Sequence, residues 1–318
     1  MGTNDSDILE QQRQRRQRIN RLKTTIIMSI AIWMLVSFLA IIVLVVQVVK
    51  LNSKIYKLEL QLENVSCVSD SDDFDNTEDI LSVESESEND YSNVVTGIDT
   101  PENMATGDDK RKVYLTFDCV LSENTGAILD ALKEAGVKAT FFVSGDDTEL
   151  GTKMLKRIVD EGHTLGMHSY SNQYSLIYDS VESFEKDYDK LSKFLLDKTG
   201  VKSAYYRFPG GSGNEVSNVN MVELVKVLKK KGVKYFDWNV SAGDISSEYT
   251  VDDIVNNVTK GAKKYKTSIV LMKDDESKVT TAQAIVPLVE ALKGMNADIL
   301  PIDEKTYVVQ YIRSDSVE

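Results

Sequence analysis

At 318 residues with 42% hydrophobic side chains, the chain has room for one large domain or two ordinary ones, with appendages. Its formal net charge of -13 is unevenly spread: residues 1–68 carry nine Lys/Arg against five Asp/Glu, residues 69–109 fourteen acids and no base, residues 110–318 28 bases against 31 acids. The part able to fold is therefore near neutral, which excludes a nucleic-acid partner, and two cysteines in unlike segments, Cys67 and Cys119, exclude a disulfide framework.

In chain order, residues 1–23 form a basic tail with Arg13, Arg15, Arg16, Arg18, Arg21 and Lys23 clustered at its end. From Thr24 to Val49 no charge occurs over 26 residues. As a helix rising about 1.5 Å per residue this stretch spans roughly 39 Å, enough to cross a hydrocarbon core of about 30 Å. A cleaved signal peptide has a shorter apolar region and a small-residue cleavage site. The positive-inside rule then gives a single-pass protein of the cell membrane, N-terminus cytoplasmic, with everything beyond Lys50 extracellular.

Residues 50–68 carry Leu51, Ile55, Leu58, Leu62 and Val65 at spacings of four and three, a juxtamembrane helical stalk. Two readings of it stay open: a homodimer contact through residues 51–67, or the membrane helix simply running on. Cys67 is likewise open between an interchain link and a free thiol. Residues 69–110 contain SDSDDFDN and VESESEND. Uncompensated charge and few apolar residues cannot offset ordering entropy, so this stretch is expected to be a disordered, extended linker.

From residue 111 short apolar runs alternate with amphipathic stretches. The strands expected are 112–118, 138–145, 164–169, 204–210, 234–240, 268–273 and 298–303, with helical patterns such as NTGAILDALKEAG and SFEKDYDKLSKFLLDKTG between them. Strands apolar at consecutive positions imply a parallel sheet covered on both faces. With no Gly-rich dinucleotide loop after the first strand, an α/β barrel is favoured over a doubly wound sheet. Residues 111–305 are read as this domain and 306–318 as a C-terminal tail. Barrel chemistry sits at the carboxyl ends of strands, which here carry Asp118, Cys119, His168, Arg207, Asp237 and Lys273. His163 precedes the third strand and reads as structural.

Five segments in order, TFDCVL (116–121), MHSYSN (167–172), RFPGG (207–211), FDWNV (236–240) and LMK (271–273), resemble the motifs of the polysaccharide deacetylase family, carbohydrate esterase family 4 or the NodB-homology domain. The likeness covers residues 111–305 and implies a distorted (β/α)7 barrel that removes acetyl groups from cell-wall glycans. In that family a zinc-type ion held by Asp, His and His polarises the acetyl carbonyl, a second Asp is the general base and a late His the general acid. By this resemblance Asp118 is the base, Arg207 orients it, and Asp237 is the late histidine's partner. Trp238 and Leu271 wall the acetyl pocket, the N–H of Gly210 faces the oxyanion, and His168 is a metal ligand.

Three positions depart from the pattern. Cys119 stands for the ligand Asp, Asn172 for the second ligand His, and Lys273 for the acid His. The metal set is therefore degenerate. No cofactor is expected unless the site is active, in which case zinc or another divalent metal is. An ordinary Lys stays charged at neutral pH and cannot cycle as a His does. Asp118 and Asp237 against Arg207 and Lys273 sum to zero without an ion, so Lys273 is expected to take the metal's electrostatic part. Three functions fit: a weakly active or inactive form that binds acetylated cell-wall glycan, an active N- or O-deacetylase with a Cys/His/Asn metal site, and a membrane scaffold acting through helix and stalk.

Overall fold

The two eight-residue strands of the folded part, Lys112–Cys119 and Thr267–Asp274, lie side by side in its sheet. The structure, a computed structural model, describes residues 96–97, 100, 102–106, 110–245 and 249–317. The expected cytoplasmic tail, membrane helix and stalk, Cys67 and most of the linker lie outside the described residues. No helix among the described residues is long and apolar enough to cross a membrane.

In chain order the elements are β1 (Thr96–Gly97), β2 (Lys112–Cys119), α1 (Glu123–Ala135), β3 (Thr140–Val143), α2 (Glu149–Asp160), β4 (Thr164–Met167), α3 (Tyr174–Ile177), α4 (Val181–Thr199) and β5 (Tyr205–Tyr206). There follow α5 (Met221–Lys231), β6 (Lys234–Tyr235), β7 (Val240–Ser241), α6 (Val251–Lys264), β8 (Thr267–Asp274), α7 (Val279–Gly294), β9 (Asp298–Ile299) and β10 (Gln310–Ile312). Local chemistry sets the helix ends. Thr148, Ser180 and Asn220 each accept a first-turn amide, and Thr250 with Asp253 forms a reciprocal capping box. Gly200 and Gly232 close α4 and α5 in the left-handed conformation.

The sheet runs β6-β5-β4-β3-β2-β8-β7, every neighbouring pair parallel, with β9 added beside the start of β2. Successive strand residues point to opposite faces. Val113, Leu115, Phe117 and Cys119 of β2 join the layer beneath the helices. Tyr114 joins Phe142, Phe236, Trp238, Ile269, Leu271, Ile302 and Val309 on the concave side. The result is a parallel-stranded α/β half-barrel.

The expected strands 204–210 and 298–303 are each reduced to two residues, and the structure differs from expectation in three further places. The stretch 234–240 is not one strand but splits into β6 and β7, the two edges of the sheet. Phe236 donates to the Tyr206 carbonyl on one side and Asn239 to that of Ile269 on the other, so the residues between cross the gap that a closed barrel would seal. The tail boundary at 305 is also corrected: Asp237 N–H donates to the Val309 carbonyl, and Val309, Ile312 and Val317 are buried, so the C-terminal segment fills that gap. Finally, the linker does not stay free up to residue 110. Asn103 is buried and exchanges hydrogen bonds with both backbone groups of Thr267.

Candidate active site at the strand ends

The β2/β8 register sets Asp118 directly beside Lys273. Lys273 Nζ donates to Asp118 Oδ2 at 3.3 Å and Arg207 Nη1 to Oδ1 at 3.1 Å, while His168 Nε2 stands 4.0 Å from Oδ2. Arg207 is fully buried. Its Nε donates to the Phe236 carbonyl at 3.0 Å, its Nη2 to that of Asp237 at 3.3 Å, and its guanidinium lies 4.3 Å from the centre of the Phe142 ring. Both oxygens of the Asp118 carboxylate thus face fixed cations.

Burial alone would raise the Asp118 carboxyl, but the charges of Lys273, His168 and Arg207 and the Arg207 hydrogen bond outweigh it and hold it at about 2. Because that value lies below the unfolded one near 3.9, ionised Asp118 stabilises the fold above pH 4, and the contribution disappears as pH falls through 2. The shift corresponds to about 2 kcal/mol. The stability difference between the natural chain and Asp118→Asn should therefore shrink between pH 4 and pH 2, as measured by urea denaturation at each pH; a difference independent of pH would show that no such ion pair exists.

His168 Nδ1 lies 2.8 Å from the Arg207 carbonyl, which can only accept, so Nδ1 carries the proton and Nε2 is turned to Asp118. Burial lowers the pKa of this ring against the pull of Asp118. His163 is a packing residue, as its place in the sequence suggests: its Nδ1 accepts the Ala139 N–H at 3.1 Å, and burial, with Lys138 and Arg157 nearby, lowers it to about 4.

Cys119 and Asn172 are not brought to His168. As the next residue of an extended strand, Cys119 faces the helix layer while Asp118 faces the concave side. Its thiol donates to Asp274 Oδ2 at 2.9 Å, and the same carboxylate accepts from Thr125 Oγ1 at 2.7 Å and Asn124 Nδ2 at 3.0 Å. Burial, then the Asp274 charge, pushes the thiol well above its usual value, and burial raises Asp274 to about 6. Asn172 is exposed, with φ of 50°, in a loop whose Tyr170 and Ser171 amides are held by the Asp187 carboxylate.

The Asp237 carboxylate is likewise engaged otherwise than expected. It accepts from Ser212 N at 2.7 Å, from Ser212 Oγ, and from Tyr311 N at 2.6 Å. The acid bonded to the Lys273 backbone is Asp244, whose Oδ2 takes the Lys273 N–H and the Thr281 hydroxyl, both at 2.8 Å. The charge sum is corrected accordingly and no longer closes to zero by count: Asp118, Asp237, Asp244 and Asp274 stand against Arg207, Lys273 and the buried Lys278. Trp238 and Leu271 share the concave apolar cluster. Gly210, at φ 76°, lies beneath the Tyr174 hydroxyl, where a Cβ would come within 2.8 Å of it.

The residues present do not fit the divalent ion that the resemblance implies. A catalytic zinc needs three converging protein ligands, thiols deprotonated. Here one imidazole converges on the carboxylate, the thiol is protonated on the other face of β2, and the carboxamide is in an exposed loop. Among the described residues no group of three His, Cys, Asp or Glu side chains is placed to hold a metal. Asp274, Asp244, Ser212 and Tyr311 were not anticipated. Asp274 alone left a signal, an acid directly after the apolar run of β8.

A parallel α/β half-barrel with ionisable residues gathered at the carboxyl ends of its strands defines the class. Residues 105–236 match the family model of polysaccharide deacetylase. The chain is 35% identical over 147 residues to YheN of Bacillus subtilis strain 168, covering 46% of this chain and 49% of that protein. The chain thus spans about half the length of the curated relatives it matches. Among solved structures, the catalytic domain of a peptidoglycan N-acetylglucosamine deacetylase from Eubacterium rectale superposes with a TM-score of 0.60 at 29% identity, over 69% of this chain and 97% of that one. A mutant of a carbohydrate esterase family 4 pseudoenzyme with restored enzymatic activity gives 0.52 at 26%, over 63% and 71%.

Proposed function

We propose that this is a membrane-anchored, extracellular polysaccharide-deacetylase-fold protein that binds acetylated cell-wall glycan and hydrolyses it weakly or not at all. Residues 1–23 form the cytoplasmic tail, 24–49 the membrane helix, and 50–68 the stalk carrying the domain through its acidic linker. The observation that carries the reading is the clamp on Asp118. A general base must be free to take a proton from a substrate or its water. Here both carboxylate oxygens face cations, and the low pKa makes the group a weak base. Replacing the acid His by Lys273 removes a proton transfer worth about 10²–10⁴ in rate. The relatives' own names supply the glycan class, and the similar structure described as a family pseudoenzyme supports the inactive reading.

Co-sedimentation of the full-length protein with N-acetylated peptidoglycan tests the binding half. The protein should pellet, and Trp238→Ala should weaken pelleting by about tenfold if that indole forms a wall of the sugar site. Equal pelleting with fully deacetylated polymer would contradict recognition of the acetyl group.

A further inference from the structure

The linker's last described residues and the chain's end meet beside the site. β1 pairs antiparallel with β10, Thr96 opposite Ile312 and Gly97 opposite Gln310. The Thr100 and Tyr307 hydroxyls lie 2.7 Å apart. Beyond them the chain reaches the start of β8. There Asn103 donates to the Thr267 carbonyl at 2.9 Å and accepts its N–H at 2.8 Å, Met104 bridges to Tyr265, and Ala105 N donates to Lys264 O at 3.0 Å. These contacts make residues 96–97, 100 and 102–106 a strap between two distant parts of the domain.

What the strap holds is a wall of the site. Pairing occupies Gln310 and Ile312 of β10, and the residue between them, Tyr311, faces inward. Its N–H donates to Asp237 Oδ2 at 2.6 Å, and its ring meets Trp238 edge-on with centroids 5.3 Å apart. The same ring lies against Gly211, which at φ 82° has no Cβ to obstruct it; a Cβ there would come within 2.8 Å of Tyr311. Ile312 N–H donates to Ser212 Oγ, the hydroxyl that itself donates to Asp237. Asp237, Trp238 and the RFPGGS loop are thus fixed through one three-residue strand.

We propose that Tyr311 is a positioning residue for the Asp237–Trp238 wall, and that the strap residues 96–97, 100 and 102–106 position Tyr311, so that the linker's attachment and the pocket are coupled. Without β1, the three-residue β10 loses its one strand partner among the described residues and keeps only its bonds to Asp237, Ser212 and Tyr235, so it should open more readily. The coupling is independent of whether the pocket binds or hydrolyses glycan; only the description of Trp238 as a ligand wall rests on the function proposed above.

The test uses the full-length chain with Trp33→Phe, leaving Trp238 as its single tryptophan. Gly97→Pro takes the backbone N–H from the β1 residue opposite Gln310 and fixes its φ, which disfavours the pairing. It is expected to speed amide exchange at Tyr311 and Ile312 by about tenfold or more and to red-shift Trp238 emission, with β3 amides still protected. Tyr311→Ala should shift the emission in the same way, and Tyr311→Phe, which keeps ring and amide, should restore it. Unchanged exchange at Tyr311 with unchanged emission in Gly97→Pro would overturn the proposal. If β3 protection is lost as well, the decision passes to Thr100→Val, which removes only the contact to Tyr307. Faster Tyr311 exchange there supports the coupling, and natural exchange overturns it.

Discussion

Replacing Arg207 with methionine is expected to cost about 3–5 kcal/mol of folding stability, the loss typical of breaking a buried ion pair from one side. The side chain is fully buried and donates to three acceptors, Asp118 Oδ1 and the carbonyls of Phe236 and Asp237. Methionine roughly fills the volume but donates nothing, so each acceptor loses its partner inside the barrel, where an unmade bond costs about 1–3 kcal/mol. Lys273 remains on the second oxygen of Asp118 and offsets part of the charge. With a denaturant slope of about 2 kcal/mol/M, the urea midpoint should fall by about 2 M. A fall under about 0.5 M would mean that Arg207 is not the internal strut its contacts describe.

Restoring the three departed positions together, Cys119→Asp, Asn172→His and Lys273→His, is expected to produce zinc-dependent acetate release at least about 10²-fold above the natural chain, the ion drawing residue 119 away from Asp274 and residue 172 in from its exposed loop to join His168. The triple change frees Asp118 from one of its two cations and returns a group that cycles at neutral pH. Cys119→Asp alone should behave differently. It sets a carboxylate where the thiol now donates to Asp274, an acid already raised to about 6 by burial. Two carboxylates in one dry site cannot both ionise. The single variant should therefore be destabilised at neutral pH and recover as pH falls below 6 and Asp274 takes up a proton. Stability equal to the natural chain at pH 7.5 would show that the new side chain turns elsewhere.

Much of this architecture was legible because it rests on period and position. The long apolar run of β2 and the helix-ending glycines at 200 and 232 carry their own signal. Reading the strand ends also named Asp118, Arg207, His168 and Lys273, which the structure gathers within about 4 Å of one carboxylate. Other parts left little signal. Two-residue strands such as β1, β6 and β7 show no periodicity, so the split at 236–239 and the strap were invisible. The role of Tyr311 depends on a pairing partner more than two hundred residues away. The orientation of Cys119 follows from the sequence, because adjacent residues of an extended strand face opposite ways, a constraint that motif positions alone do not carry.

The decisive property of this pocket is whether the natural domain turns over substrate with a bound ion. Full-length protein, unmodified and restored, should be analysed for zinc and then assayed for acetate released from N-acetylated amino-sugar oligomers, before and after chelation. The expected result is sub-stoichiometric zinc and background acetate for the unmodified chain, with both rising in the restored one. One tightly held zinc per unmodified chain, with acetate release abolished by chelator and recovered on adding metal, would contradict it.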